Sequence, residues 1–343
     1  MLASREPALP ISDTPGWRSR MSPYQRPAWL RALLELGVTV APLILFWAAM
    51  IAAVRLGIYW LYPVLLVLSA GFLVRLFMVQ HDCGHAAFFP HPAANDWTGR
   101  VIGVLTLTPY DHWRRSHALH HATSGNLDRR GAGDINTLTV EEYRARSRWG
   151  RLCYRLYRHP LVMFGVGPAY IFLFENRLPF GFMRNGWMPW LSTMSTNLGA
   201  ATLAVGFIVV FGWPTFALTY LAMVLLAAAA GVWLFYVQHQ FSSTHWQRRD
   251  KWNPSEAALL GSSYYDLPPP LSWISANIGV HHIHHLSSRI PFYRLQEALR
   301  AYPELTAIGR LTLWQSLRCP RLALWDEAES RLVPFAALRR SKS

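Results

Sequence analysis

The sequence predicts an all-α integral membrane protein: about four transmembrane helices in two hairpins, with a cytosolic helical cap. Three observations lead there. Four stretches are apolar and long enough to cross a bilayer core, which takes roughly 20 residues. Only 15% of residues are charged, against about 25% in soluble domains. The chain also carries 16 Trp and 14 Tyr, the side chains that collect at membrane–water interfaces.

Residues 1–34 contain Pro7, Pro10, Pro15, Pro23 and Pro27 among five arginines and lack the apolar core of a secretory signal. They are expected to form a cytosolic tail leading into an interfacial helix near Trp29. A membrane domain is expected over 35–295, followed by a C-terminal cytosolic tail over 296–343. The first span, 36–54, has no charge. The second, 57–80, holds only Arg75, expected to snorkel to the interface. The segment Leu161 to Phe174 is apolar but short and broken by Gly165, Gly167 and Pro168, so an interfacial placement is expected. The third and fourth spans cover 194–212 and 216–237, joined by a tight turn at Trp213-Pro214.

Charge orients this layout. Of 33 basic residues, 5 precede the first span, 13 lie between Arg100 and Arg184, and 13 follow His239. The two short hairpin turns carry almost none, so the positive-inside rule places both termini and the central region in the cytosol. A net charge of +14 on a soluble chain would suggest nucleic acid. Here it flanks apolar segments, so anionic lipid headgroups are the expected partner and nucleic acid is not. Cys83, Cys153 and Cys319 are too few and odd in number for a disulfide framework, and suggest reduced thiols on the cytosolic side.

Of the 14 histidines, nine fall in three pentads: His81-Asp82-Cys83-Gly84-His85, His117-Ala118-Leu119-His120-His121 and His281-His282-Ile283-His284-His285. On a helix, i, i+3 and i+4 share one face. Imidazole binds late first-row metals well. Eight nitrogens at these spacings exceed the coordination of one metal, whereas two metals with four or five each would fit. An all-nitrogen site with open positions suits iron and O₂ activation. The topology puts all three pentads near one membrane surface, which points to a lipid substrate. His239, in Gln238-His239-Gln240-Phe241 at the cytosolic end of the fourth span, is a ninth candidate. Asp82, Gln238 and Asn277 are candidates for orienting the ligands from behind. No His is followed by Glu, which argues against a zinc protease helix. A metal transporter would place its ligands at the bilayer midplane rather than at span ends.

The chain resembles the integral-membrane fatty acid desaturases, especially bacterial and chloroplast-type acyl-lipid desaturases acting at the Δ12 (ω6) position. The likeness runs from about Arg55 to Leu295. It rests on the three pentads in order, on Gly133-Asp134-Ile135, on Phe235-Tyr236-Val237-Gln238-His239-Gln240-Phe241, and on Asn277-Ile278-Gly279-Val280 before the last pentad. One departure is Ser242-Ser243-Thr244-His245, where the family pattern has an acidic residue soon after Gln240-Phe241. The resemblance implies two iron ions held by His81, His85, His117, His120, His121, His281, His284 and His285. It implies an oxidoreductase that uses O₂ and two external electrons to place a cis double bond in a fatty acyl chain. The protein would be multi-pass, with a cytosolic active site, and if bacterial would lie in the inner or plasma membrane. No cytochrome b5-like or ferredoxin-like stretch is visible and three scattered cysteines cannot ligate an iron–sulfur cluster. A separate ferredoxin-like or cytochrome b5-like donor is therefore expected. A lipid hydroxylase of the same superfamily is the alternative, because both reactions begin with the same hydrogen abstraction.

Overall fold

The computed structural model describes residues 14–131 and 133–342. The expected tail before residue 14, and Ala132 in the glycine-rich turn, lie outside the described residues. A short helix α1 (Thr14–Met21) is followed by two long helices, α2 (Trp29–Arg55) and α3 (Tyr62–Gly84). Two shorter helices, α4 (Pro92–Leu105) and α5 (Tyr110–Thr123), return alongside α3. After α6 (Val140–Ala145), α7 (Arg148–Tyr157), a π-helical turn at Val162–Val166 and α8 (Gly167–Leu173) come the second long pair, α9 (Met188–Phe211) and α10 (Trp213–His239). The chain closes with α11 (Pro254–Leu260), α12 (Pro269–Ile274), α13 (His281–Leu286) and α14 (Phe292–Ala301).

The four long helices are the ones long and apolar enough to cross a membrane among the described residues. Their outward faces leave Ile44, Leu45, Val205 and Val209 between 59% and 78% exposed. Such a continuous apolar surface is unfavourable in water and suits hydrocarbon. Trp29 does not belong to a separate interfacial helix; it opens α2. The segment around Leu161 to Phe174 is helical, with Leu161, Val166, Tyr170 and Phe174 exposed. The second hairpin turns at Gly212, whose φ of 84° suits glycine. Trp213-Pro214 instead starts α10, with proline in the first turn where its missing N–H costs nothing.

Arg75 does not snorkel. It is 1% exposed, and its guanidinium pairs with Glu35 of α2. Its Nε donates to Thr39 Oγ1 (3.1 Å), another donor reaches the Trp273 carbonyl, and the Trp273 ring lies 4.1 Å away. Glu35 sits just before the span read from sequence, so its role as internal partner was not legible there. This joint ties α2 and α3 to α12, the element that leads into α13.

The C-terminal segment is folded onto the protein rather than trailing as a tail. β3 (Arg310–Thr312) pairs in parallel with β2 (Tyr264–Asp266). β4 (Leu324–Asp326) pairs with β1 (Leu138–Thr139) and with β5 (Arg331–Val333). Leu305, Leu324 and Trp325 are buried. Arg158, also buried, locks this layer to α10 by donating to Tyr236 Oη (2.9 Å), Gln240 Oε1 (3.1 Å) and the Leu322 carbonyl (2.6 Å).

Breaking the α2–α3 joint on one side leaves Glu35 buried beside Arg31 alone. Arg75→Met is expected to destabilise by about 1.5–3 kcal/mol, because Glu35 keeps Arg31 but loses its buried charge-assisted partner. Glu35→Gln combined with Arg75→Met should recover much of it. Thermal unfolding in detergent checks this; a double variant no better than the single would show that the pair does not carry the joint.

Candidate metal centre

Nine histidines from four helices converge where α3 and α10 end. α3 supplies His81, and His85 caps its C-terminus. α5 supplies His117, His120 and His121. α10 supplies His239 as its last residue. α13 supplies His281, His284 and His285. The side chains sort into two groups: His81, His85, His117, His121 and His284 in one, His120, His239, His281 and His285 in the other. Within each group the nitrogens offered lie within 4.8 Å of one another. α5 and α13 each contribute to both groups, because i and i+4 share a direction while the neighbour of i+4 points about 100° away.

The Nε2 atoms face each other at close range. In the first group, His117 lies 3.0 Å from His81 and 3.1 Å from His121, and His121 lies 3.2 Å from His284. In the second, His281 lies 3.0 Å from His239, and His120 lies 3.3 Å from His285. Donors on one metal at roughly 2.0–2.1 Å would be about 3.0 Å apart at right angles and about 3.4 Å apart in a tetrahedron. The observed spacings fall in that interval.

The opposite edges of three rings are held by acceptors. His81 Nδ1 meets Asp82 Oδ1 at 3.1 Å, His120 Nδ1 meets Asp134 Oδ1, and His239 Nδ1 meets the Gly261 carbonyl at 3.2 Å. A proton held on Nδ1 leaves the Nε2 lone pair free for a metal. Burial pushes the other imidazoles towards the neutral form. Desolvation, then the charge of neighbouring histidines, holds His85 down to about 3 and His117, His121, His281, His284 and His285 well below the usual histidine range. His85 Nε2 is buried with no hydrogen-bond partner among the described residues. Neutral imidazoles with converging, unpaired nitrogens are a donor set that fits a metal ion in each group.

The candidates for orienting the ligands fare differently. Asp82 touches His81, and its Oδ2 accepts the Phe292 N–H (2.6 Å), so it also ties α3 to α14. Gln238 donates to the Ile278 carbonyl (3.1 Å), bracing the loop before α13 rather than an imidazole. Asn277 is not on a helix one turn before His281. It lies in a turn with φ 56°, and its Oδ1 accepts from Ser272 Oγ (3.2 Å). Asp134 went unassigned in the sequence, where Gly131-Ala132-Gly133-Asp134 reads as a turn; its place in the Gly133-Asp134-Ile135 match was the available signal. In the stretch that departs from the family pattern, Thr244 Oγ1 donates to the Gly261 carbonyl (3.4 Å), the oxygen that also accepts from His239. His282 is buried but belongs to neither group.

A cavity of about 760 Å³ opens beside the histidines, at the size of small-molecule sites. His81, His117 and His281 lie at its wall, and Leu73, Val224, Ala228 and Gly231 line it along α3 and α10. From Val224 to Gln238 the lining runs 14 residues, roughly 21 Å at 1.5 Å per residue. One leaflet of a bilayer core is about 15 Å deep, so the lined stretch of α10 is at least as long as one leaflet.

The fatty acid desaturase family model matches residues 59–316. A protein of Bacillus subtilis named fatty acid desaturase is 41% identical over 93% of this chain and 90% of its own length. An sn-1 acyl-lipid omega-3 desaturase (ferredoxin) of Synechocystis is 31% identical over 73% of this chain and 69% of its own. An sn-1 oleoyl-lipid 12-desaturase of Anabaena variabilis is 24% identical over 82% and 77%.

The histidine environment sets a pH dependence for the metal-free protein. His85 stays neutral when folded down to about 3, while an unfolded imidazole takes a proton below about 6.5. The unfolded state therefore binds more protons in that window, and stability falls as pH drops from about 6.5 towards 3. Thermal midpoints of chelator-treated protein should decline steeply over that range. A flat profile would contradict a buried, neutral cluster.

Proposed function

The chain belongs to the fatty acid desaturase family, and from that premise we propose that it is a di-iron acyl-lipid desaturase acting at the cytosolic face of a membrane. The observation that carries this is the position of two histidine groups at the wall of a long apolar cavity. His81, His85, His117, His121 and His284 would hold one iron, and His120, His239, His281 and His285 the other. When bound, iron supplies the O₂ activation and hydrogen-abstraction chemistry that side chains lack.

The remaining work falls to this chain. Asp82, Asp134 and the Gly261 carbonyl keep Nδ1 protons on His81, His120 and His239, and so aim their Nε2 atoms. The cavity walls exclude water and fix the acyl chain so that one pair of methylenes faces the histidines; position is then the source of selectivity. The basic residues on the loops outside the hairpin turns support a cytosolic position for the termini and the histidines. The same positive face suits an acidic electron donor of ferredoxin-like or cytochrome b5-like type, in keeping with the ferredoxin named for the Synechocystis relative.

For the double-bond position the reading is Δ12 (ω6) on a monounsaturated acyl lipid. It is supported by the relative named oleoyl-lipid 12-desaturase, at 24% identity, whereas the Synechocystis relative at 31% is named for the omega-3 position. Expression in a host that makes only monounsaturated lipids should yield a diunsaturated chain, with about two irons per purified protein. A new bond elsewhere would retain the activity and move the position; hydroxy fatty acid as main product would favour the hydroxylase. His239→Ala should abolish product and lower iron content while the protein still inserts. Normal iron and product in that variant would remove His239 from the ligand set.

Gly231 tests the cavity. A Cβ built there meets nothing within 4 Å, so a larger side chain extends into open space. Gly231→Phe should cut turnover of long acyl chains at least tenfold with iron content unchanged. Undiminished turnover would show that the acyl chain lies elsewhere.

A further inference from the structure

Helix α7 (Arg148–Tyr157, sequence RWGRLCYRLY) carries three faces. At 3.6 residues per turn, Tyr154 and the following Arg158 point inward, and both are 4% exposed. A second face presents Trp149, Leu152 and Leu156 at i, i+3 and i+7, exposed by 71%, 45% and 52%. Between them lie Arg148, Arg151 and Arg155, none within ion-pair distance of a carboxylate among the described residues. Arg155 Nε donates to the Tyr143 hydroxyl (2.6 Å). The nearby Glu142 is engaged by Arg130. A helix with a third of its surface docked, a third apolar and open, and a third cationic fits the plane of an anionic lipid surface.

The apolar face of α7 continues into the segment that walls the cavity. Leu161, Val166, Tyr170 and Phe174 are exposed in turn after it, and Val166 and Tyr170 also line the cavity. Tyr157, the last residue of α7, lines it as well. The same wall therefore faces lipid on one side and the acyl cavity on the other.

We propose that α7 is a lipid-gathering helix: it lies in the headgroup layer, binds anionic phospholipid through Arg148 and Arg151, and presents that lipid at a lateral entrance between Tyr157 and Tyr170. The occupant is the anionic membrane surface itself, chosen by the unpaired arginines and by continuity with the lipid-facing skin of α8. The substrate role of that lipid rests on the acyl-lipid reading above, whereas the seating of the helix does not.

Cys153 makes this testable in the full chain, because it is exposed on α7 while Cys83 and Cys319 are buried. Reconstituted protein is labelled there with an environment-sensitive maleimide. Vesicles are either phosphatidylcholine alone or phosphatidylcholine mixed with phosphatidylglycerol. In the mixed vesicles the label should shift to the blue, be quenched by brominated lipid, and lose most of its acrylamide quenching. Arg148→Gln and Arg151→Gln should each weaken that anionic dependence by roughly fivefold in the equilibrium, the effect of one arginine near an anionic surface. Equal acrylamide quenching in both vesicles, or shielding that arises only when an acidic protein is added, would overturn the proposal. In a competition between the two lipids carrying one acyl chain, wild type should prefer phosphatidylglycerol and the double variant should not. Anionic seating of the label without any desaturation would instead sink the acyl-lipid function and leave the helix assignment standing. Seating with desaturation but no lipid preference would overturn the presenting role.

Discussion

Nine imidazoles packed edge to edge are the constraint on which the rest of this fold depends. Their Nε2 atoms approach to 3.0–3.3 Å in pairs, and no arrangement of protons satisfies them all. Two facing nitrogens can share one proton, but a third and fourth in the same group then face lone pairs or N–H groups of like polarity. Charging the rings is no remedy, because five of the nine are buried and the charges would repel. A Lewis acid at the centre of each group resolves the conflict, and the folded chain holds the rings where such an ion would sit. That is a costly arrangement to hold without metal, and the fold reinforces it accordingly.

The reinforcement is polar and sits just behind the rings. Asp82 accepts from His81 and from the Phe292 backbone, so one carboxylate fixes a ligand and a helix junction together. Gln238 braces Ile278 in the loop that delivers α13. Arg75 spans from Glu35 to the Trp273 carbonyl, and Arg158 gathers α10 and the C-terminal layer. Each joins segments distant in sequence. Such joints are strong in a low-dielectric setting when satisfied and expensive when broken.

Much of this was legible in the sequence because spacing encodes direction. Four apolar runs gave four long helices, and three histidine pentads marked three of the converging segments. His239 followed from topology and the family match, since the last helix had to end beside the first pentad. What stayed hidden were partners set by tertiary packing. Glu35 reads as a charge outside a span until Arg75 is seen to turn inward towards it. Asn277 reads as helical until two consecutive left-handed residues, Ala276 and Asn277, turn it towards Ser272. Asp134 reads as a turn residue because its ring partner is 14 positions away. The folded C-terminal layer escaped because its strands are three residues long, and β3 and β4 pair with β2 and β1 far away in sequence, leaving no run of alternation to detect.

The split of the pentads between two groups has a geometric consequence for the cavity. α5 sends His117 and His121 to one group and His120 to the other; α13 sends His284 to the first and His281 and His285 to the second. The separation of the groups is thus set by two rigid helices rather than by loops. His81 and His117 of the first group and His281 of the second reach the cavity wall. On the proposed reading, an acyl chain in that cavity would meet both groups from one side, with the other six ligand candidates behind them. A reaction that removes hydrogen from two adjacent carbons needs the chain held so that both carbons come within reach of one site. On the reading proposed above, the histidines would set the chemistry and the apolar residues of α3 and α10 would set which carbons are presented to it.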